Sequence, residues 1–152
     1  MRKKIITKSF KETQNLGKEL ASLINPSSEA VVLLLHGNLG SGKTTFLQGF
    51  AKGLGIKEKI LSPTFVIQKR FLLKNKKFHN FYHIDCYRLK NEKPARAGGD
   101  ILELGFKDII KNPENIIAIE WPEKIKKVLP KNCIKINFKF INENERAIDI
   151  EI

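Results

Sequence analysis

Apolar runs alternate with polar turns along the chain, and their spacing switches between that of strands and that of helices. Ala30-Val31-Val32-Leu33-Leu34-Leu35 is apolar throughout and partly β-branched, as expected of a strand buried on both faces. Thr45 to Leu54 then carries Phe46, Leu47, Phe50, Ala51 and Leu54 at helical spacing, and Gly53-Leu54-Gly55 ends that helix. Upstream, Ile5 to Lys8 reads as a short strand. Ser9-Phe10-Lys11-Glu12 has the form of a capping box opening a helix to about Ile24, with Leu16, Leu20 and Leu23 on one face and Pro26-Ser27-Ser28 closing it. Residues 64 to 73 and 78 to 85 read as two strands joined across the polar turn Lys74-Asn75-Lys76-Lys77. A loop with Pro94 and Gly98-Gly99 leads to a helix from Asp100 to Lys111, and Asn115 to Glu120 reads as another buried strand. Asn132 to Phe140 and Ala147 to Ile152 form a terminal hairpin over Asn142-Glu143-Asn144-Glu145. With no repeat, long linker or low-complexity tract, the pattern predicts one α/β domain over residues 1–152. Its expected form is three layers around a mixed, mainly parallel central sheet.

The chemistry lies between the first buried strand and its helix. Gly37-Asn38-Leu39-Gly40-Ser41-Gly42-Lys43-Thr44 is a complete Walker A loop in the strand–loop–helix setting that gives the motif its meaning, so the predicted domain is of the P-loop NTPase type. Glycines let successive N–H groups turn inward around phosphate oxygens at a helix N-terminus. Lys43 places a positive charge on the β and γ phosphates, and Thr44 offers a hydroxyl to Mg²⁺. The expected ligands are therefore ATP and Mg²⁺, and the expected nucleotide contacts are Asn38, Leu39, Gly40, Ser41, Gly42, Lys43, Thr44 and Thr45.

Two apolar strands end in a carboxylate, Phe81-Tyr82-His83-Ile84-Asp85 and Ile116-Ile117-Ala118-Ile119-Glu120. Ligands of open α/β sheets sit beyond the carboxyl ends of the strands, so both acids are expected to face the metal and phosphates alongside the catalytic Lys43. One serves as the Walker B acid and the other as a second metal or water contact; the sequence leaves open which. The metal set is thus Thr44, Asp85 and Glu120. Thr64, after the stiff Ser62-Pro63, stands where P-loop switches place a γ-phosphate sensor, and Trp121 is a large aromatic at the site edge. Tyr82 and His83 read as packed side chains, and His36 and His79 as structural.

Composition narrows the setting. The 152 residues are 41% hydrophobic, enough for a core, and no apolar run approaches the roughly 20 residues of a membrane span. The first residues lack the long apolar stretch of a signal peptide, so a cytoplasmic location with no membrane contact is expected. Cys86 and Cys133 have no metal-ligand spacing and read as reduced thiols. The formal net charge of +12 comes mostly from lysines spread along the whole chain, which favours an acidic partner or an RNA-containing complex over a dedicated nucleic-acid site.

GNLGSGKTTF (37–46), SPTF (62–65), HIDCYRL (83–89), ELG (103–105) and IEWPE (119–123) occur together and in this order. In that combination the chain resembles the bacterial TsaE family over most of its length. The resemblance implies a small ATPase working with TsaD and TsaB in the threonylcarbamoyl modification of adenosine 37 of tRNA, with tRNA contact indirect. It further implies that Thr64 belongs to a switch-like segment, that Asp85 and Glu120 line the Mg-ATP site, and that Trp121 lies at its edge. Asn38 stands where the family usually has Asp, Cys86 replaces a more typical aliphatic residue, and the link Lys90 to Asp100 looks longer than usual. A small-molecule P-loop kinase is the alternative; it needs an acceptor pocket and an arginine-bearing lid, for which only Arg88 and Arg96 are near a suitable loop. A GTP switch is disfavoured because Asn75-Lys76-Lys77-Phe78 lacks the aspartate of a guanine-reading N-K-x-D.

Overall fold

The computed structural model describes residues 1–61, 68–89 and 105–152. Among these, the first buried run forms β2 (Val31–His36), and the terminal strands are β1 (Arg2–Thr7), β6 (Ile134–Phe140) and β7 (Arg146–Glu151). The middle of the chain supplies β3 (Gln68–Leu72), β4 (Asn80–Asp85) and β5 (Asn115–Glu120). The helices are α1 (Phe10–Leu23), α2 (Lys43–Gly53) and α3 (Phe106–Lys111), with a 3-10 segment at Pro122–Val128.

The described strands form one open sheet in the order β1-β7-β6-β2-β5-β4-β3. β6, β2, β5 and β4 run parallel to one another; β3 pairs antiparallel with β4 at one side, and at the other β7 pairs antiparallel with β6 and β1 with β7. The mixed sheet with a parallel centre is the expected one. β2, β5 and β4 are buried on both faces, as parallel central strands are, whereas β6 alternates buried and exposed residues and meets β7 across the polar turn Asn142-Glu143-Asn144-Glu145.

Alternation of side chains along β2 and β5 divides the core in two. Leu33, Leu35, Ile116 and Ala118 face α1 and α2, where they pack with Phe46, Leu47, Phe50 and Phe138. Val32, Leu34, Ile117 and Ile119 face the other way, onto Phe106, Ile109 and Ile110 of α3 and Ile125 of the 3-10 segment. These are the three layers. Phe46 is edge-on to Phe138 (5.4 Å between centroids), and Phe50 lies 5.8 Å from Phe81, so α2 is fixed over the middle of the sheet.

α1 begins as its sequence requires. The N–H of Glu12 donates to Ser9 Oγ at 3.1 Å, and the Glu12 carboxylate accepts from the N–H of Lys8 at 2.7 Å, one residue before the cap. Leu16 and Leu20 are buried, but Leu23 is 65% exposed: the buried stripe of α1 runs through Thr13, Leu16, Gly17, Leu20 and Ala21 to Ile24, and Leu23 falls on its flank. β3 begins at Gln68 and α3 at Phe106 among the described residues; the expected strand start at 64 and helix start at Asp100 lie outside them.

α1 crosses α2 at backbone contact. A methyl group on Gly49 would stand 1.8 Å from the carbonyl oxygen of Gln14, and one on Gly17 2.2 Å from that of Phe46. Neither clash can be relieved by a side chain turning away. Gly49→Ala is therefore expected to destabilise the domain by about 3 kcal/mol through forced separation of the helices, measured as a fall in the urea midpoint; an unchanged midpoint would mean that the helices are not in backbone contact.

Candidate nucleotide site

The loop between β2 and α2 has the backbone that its glycines make possible. Gly37, Gly40 and Gly42 all take positive φ, at 147°, 74° and 104°. At Gly37 any side chain is also excluded by space, since a Cβ would fall 2.6 Å from Ser41 Oγ and 2.7 Å from the carbonyl oxygen of Phe138. Asn38, Leu39 and Gly40 form the exposed crest, Gly42 and Thr44 are half-buried, and Ser41, Lys43 and Thr45 are buried. The sequence-predicted contacts thus line a single turn at the head of α2, whose first N–H groups have no partners within the helix.

Lys43 turns back over this loop. Its Nζ donates to the carbonyl oxygens of Gly37 (2.5 Å) and Asn38 (2.9 Å) and stands 4.7 Å from the centre of the Trp121 ring. Burial pulls its pKa below the ordinary lysine value, and the charges of Glu120, Asp85 and Glu123 oppose that shift. Trp121 is held there by a backbone that no other described non-glycine residue adopts: its φ is 57°, a left-handed conformation costing on the order of 1–2 kcal/mol. The kink occurs where β5 ends and Pro122 starts the 3-10 segment, and it lays the indole against Tyr87, 5.0 Å between centroids.

Both strand-end acids reach the same place. Phe81, His83 and Asp85 on β4 share a face with Ile116, Ala118 and Glu120 on β5, and that face is the one covered by α2. Asp85 pairs directly with Glu120 in the β4–β5 register. Both are buried; Asp85 Oδ1 accepts the N–H of Tyr87 at 2.9 Å, and Glu120 Oε1 lies 2.8 Å from His83 Nε2. His83, expected only as a packed residue, is packed and is also the hydrogen-bonding partner of a site acid. Its position follows from parity: two residues before Asp85, it is diagonal to Glu120 across the strand pair. His36, on the opposite face, lies 3.4 Å from Glu123.

The residues fit a phosphate chain and a hard divalent cation. Ser41 Oγ is buried with no hydrogen-bonding partner, the glycine cradle has no room for a Cβ at Gly37, and Thr44, Asp85 and Glu120 offer oxygen donors to a metal, the nearby His83 Nε2 being engaged with Glu120. Among the described residues no three His, Cys, Asp or Glu side chains converge as a ready-made metal cage. Thr64, Lys90 to Asp100 and Glu103-Leu104 lie outside the described residues, as does Arg96. Cys86 and Cys133 are free thiols; burial raises the Cys86 pKa to about 12, which makes it a core residue of low reactivity.

The family model for the threonylcarbamoyl adenosine biosynthesis protein TsaE matches residues 7–148. The chain belongs to the TsaE family. Curated relatives include the TsaE proteins of Rickettsia prowazekii, 38% identical over 93% of this chain and 90% of the relative, and of Bacillus subtilis, 35% identical over 90% and 77%. The crystal structure of Bacillus subtilis YdiB superposes with a TM-score of 0.75 at 30% identity, covering 99% of this chain and 84% of that one. Family and fold are those that the ordered motifs imply. No described helix is long and apolar enough to cross a membrane.

The His83–Glu120 pair has a direct test. His83→Ala strips a buried carboxylate of its hydrogen-bonding partner and is expected to cost about 3 kcal/mol in urea unfolding. His83→Gln, whose amide can still donate, is expected to recover part of the loss; two variants as stable as wild type would place the two side chains apart.

Proposed function

We propose that this TsaE-family chain is a Mg²⁺-dependent ATPase serving tRNA threonylcarbamoyladenosine biosynthesis, acting with TsaD and TsaB in the cytoplasm and meeting tRNA through them. The supporting observation is the convergence of Lys43, Asp85 and Glu120 at the head of α2, where the electrostatic influence of both acids reaches the lysine.

The loop N–H groups between Gly37 and Thr45 donate to phosphate oxygens, and Lys43 exchanges the carbonyls of Gly37 and Asn38 for the β and γ phosphates. Thr44 and Asp85 would hold Mg²⁺, which would neutralise charge on the phosphates. Glu120, with Oε1 engaged by His83, has Oε2 to orient the attacking water. Trp121 covers Lys43 and keeps bulk water from its ammonium group. P-loop sites that a partner completes hydrolyse ATP slowly on their own. The lysine-rich surface, at net charge +12, favours acidic partner faces.

Lys43→Ala is expected to abolish ATP turnover while leaving the fold intact, because the loop keeps its backbone and loses its phosphate cation. Asp85→Asn and Glu120→Gln are expected to raise the barrier by about 2–4 kcal/mol, read as kcat over a Mg²⁺ titration. Normal titrations in both would remove the acids from the site. Phosphate release measured with no added acceptor, with and without TsaD, TsaB and tRNA at two salt concentrations, tests the role as a whole. Slow turnover that changes on adding the partners, less so at high salt, is expected; fast turnover indifferent to every partner would contradict it.

A further inference from the structure

The β6–β7 hairpin walls the phosphate loop on the side away from the acids. β2 stands between β6 and β5 in the sheet, so Asp85 and Glu120 approach from the β5–β4 side and the hairpin from the other. A Cβ on Gly42 would lie 3.4 Å from Cγ of Arg146 and 3.6 Å from its Nε.

Arg146 is anchored at its far end. Its Nη1 donates to the carbonyl oxygens of Asn142 (2.5 Å) and Glu145 (2.9 Å), and its guanidinium lies over the Phe140 ring, 4.7 Å from the centroid. The turn supplying these carbonyls is itself fixed, since Asn142 Oδ1 accepts the N–H groups of Asn144 (3.0 Å) and Glu145 (2.9 Å). The Nε–H of this restrained group is shut off from solvent and has no acceptor. Three buried side-chain polar atoms lack a partner among the described residues, and two of them, Arg146 Nε and Ser41 Oγ, belong to residues beside Gly42. A buried donor without an acceptor is unfavourable, and a restrained cation facing a phosphate loop has an obvious acceptor in a phosphate oxygen.

We propose that Arg146 is a second cationic contact to the nucleotide's polyphosphate, its Nε–H donating to a phosphate oxygen at the nucleoside end of the chain, remote from Asp85 and Glu120. The assignment rests on the ATPase reading, which puts the γ-phosphate and Mg²⁺ on the side of the acids and so sends the α-phosphate toward the hairpin. When phosphate draws Lys43 away from the loop carbonyls, the loop N–H groups turn inward and Arg146 Nε becomes reachable across Gly42. A contact at the α-phosphate is made by ATP and ADP alike, so it acts on affinity rather than on the chemical step.

The test uses the intact chain with Mg²⁺ and titrates ADP and ATP by calorimetry. Arg146→Met keeps an unbranched stem against Gly42 and removes the donor; it is expected to weaken both nucleotides about tenfold or more, with kcat at saturation little changed. Affinity should also depend less steeply on salt, as one phosphate contact is lost. Arg146→Lys keeps the charge without the planar donors and is expected to weaken binding about threefold or more, which decides the matter if Arg146→Met does not fold. Variants that bind ADP as tightly as wild type would overturn the inference alone. A wild-type chain that binds neither nucleotide would overturn the ATPase reading and the inference together.

Discussion

The register of three parallel strands sets the site. Leu35 on β2 stands opposite Glu120 on β5, and Glu120 stands opposite Asp85 on β4. Both acids therefore emerge level with the start of the phosphate loop, on the face covered by α2. A slip of one residue in β4 or β5 would turn its acid to the face of α3 and the 3-10 segment. The isoleucines, leucines and phenylalanines of these strands pack on opposite faces into two separate clusters, and this holds the register. The apolar core thus supports the site by fixing where its polar side chains emerge.

Those polar side chains are themselves buried, with Lys43 at 5% exposure, His83 at 1%, Asp85 at 6% and Glu120 at 3%. Charges in such surroundings are expensive unless paired, and replacing paired charges by apolar groups often leaves a protein no less stable. Here the pairs are Lys43 with two loop carbonyls and Glu120 with His83. The left-handed Trp121 adds backbone strain at the same place. Stability alone accounts for neither feature. The proposed site, which would hold phosphate, a metal and an attacking water out of bulk solvent, accounts for both, because electrostatic contacts strengthen there.

Elements with a strong period were legible in the sequence, as were the loop and the two acids. β5 spans Asn115–Glu120, the run its apolar residues define, and α2 buries Phe46, Leu47, Phe50, Ala51 and Leu54 as their spacing requires. The end of α1 was less legible: Leu23 has the right spacing but lies beside a buried stripe that continues through Ala21 to Ile24, and spacing alone does not say which edge of an apolar stripe its neighbours cover. His83 and Arg146 were missed for a related reason. The link between His83 and Glu120 needs the pairing of β4 with β5, 37 residues apart in sequence, and that of Arg146 to Gly42 needs the hairpin to lie beside β2. Alternation reveals which residues share a face of one strand; which strands are neighbours is decided by the packing of the whole domain.

The chain has a single tryptophan, and it is the one that covers Lys43, so its fluorescence reports the exchange at the centre of the proposed chemistry. Titrating the wild-type chain with ATP in the presence of Mg²⁺ should move Lys43 from the loop carbonyls to phosphate beneath the indole and change the emission saturably, with a midpoint equal to the dissociation constant found by calorimetry. Emission that stays constant while calorimetry records nucleotide binding would contradict the placement of Lys43, Trp121 and the phosphates in one site.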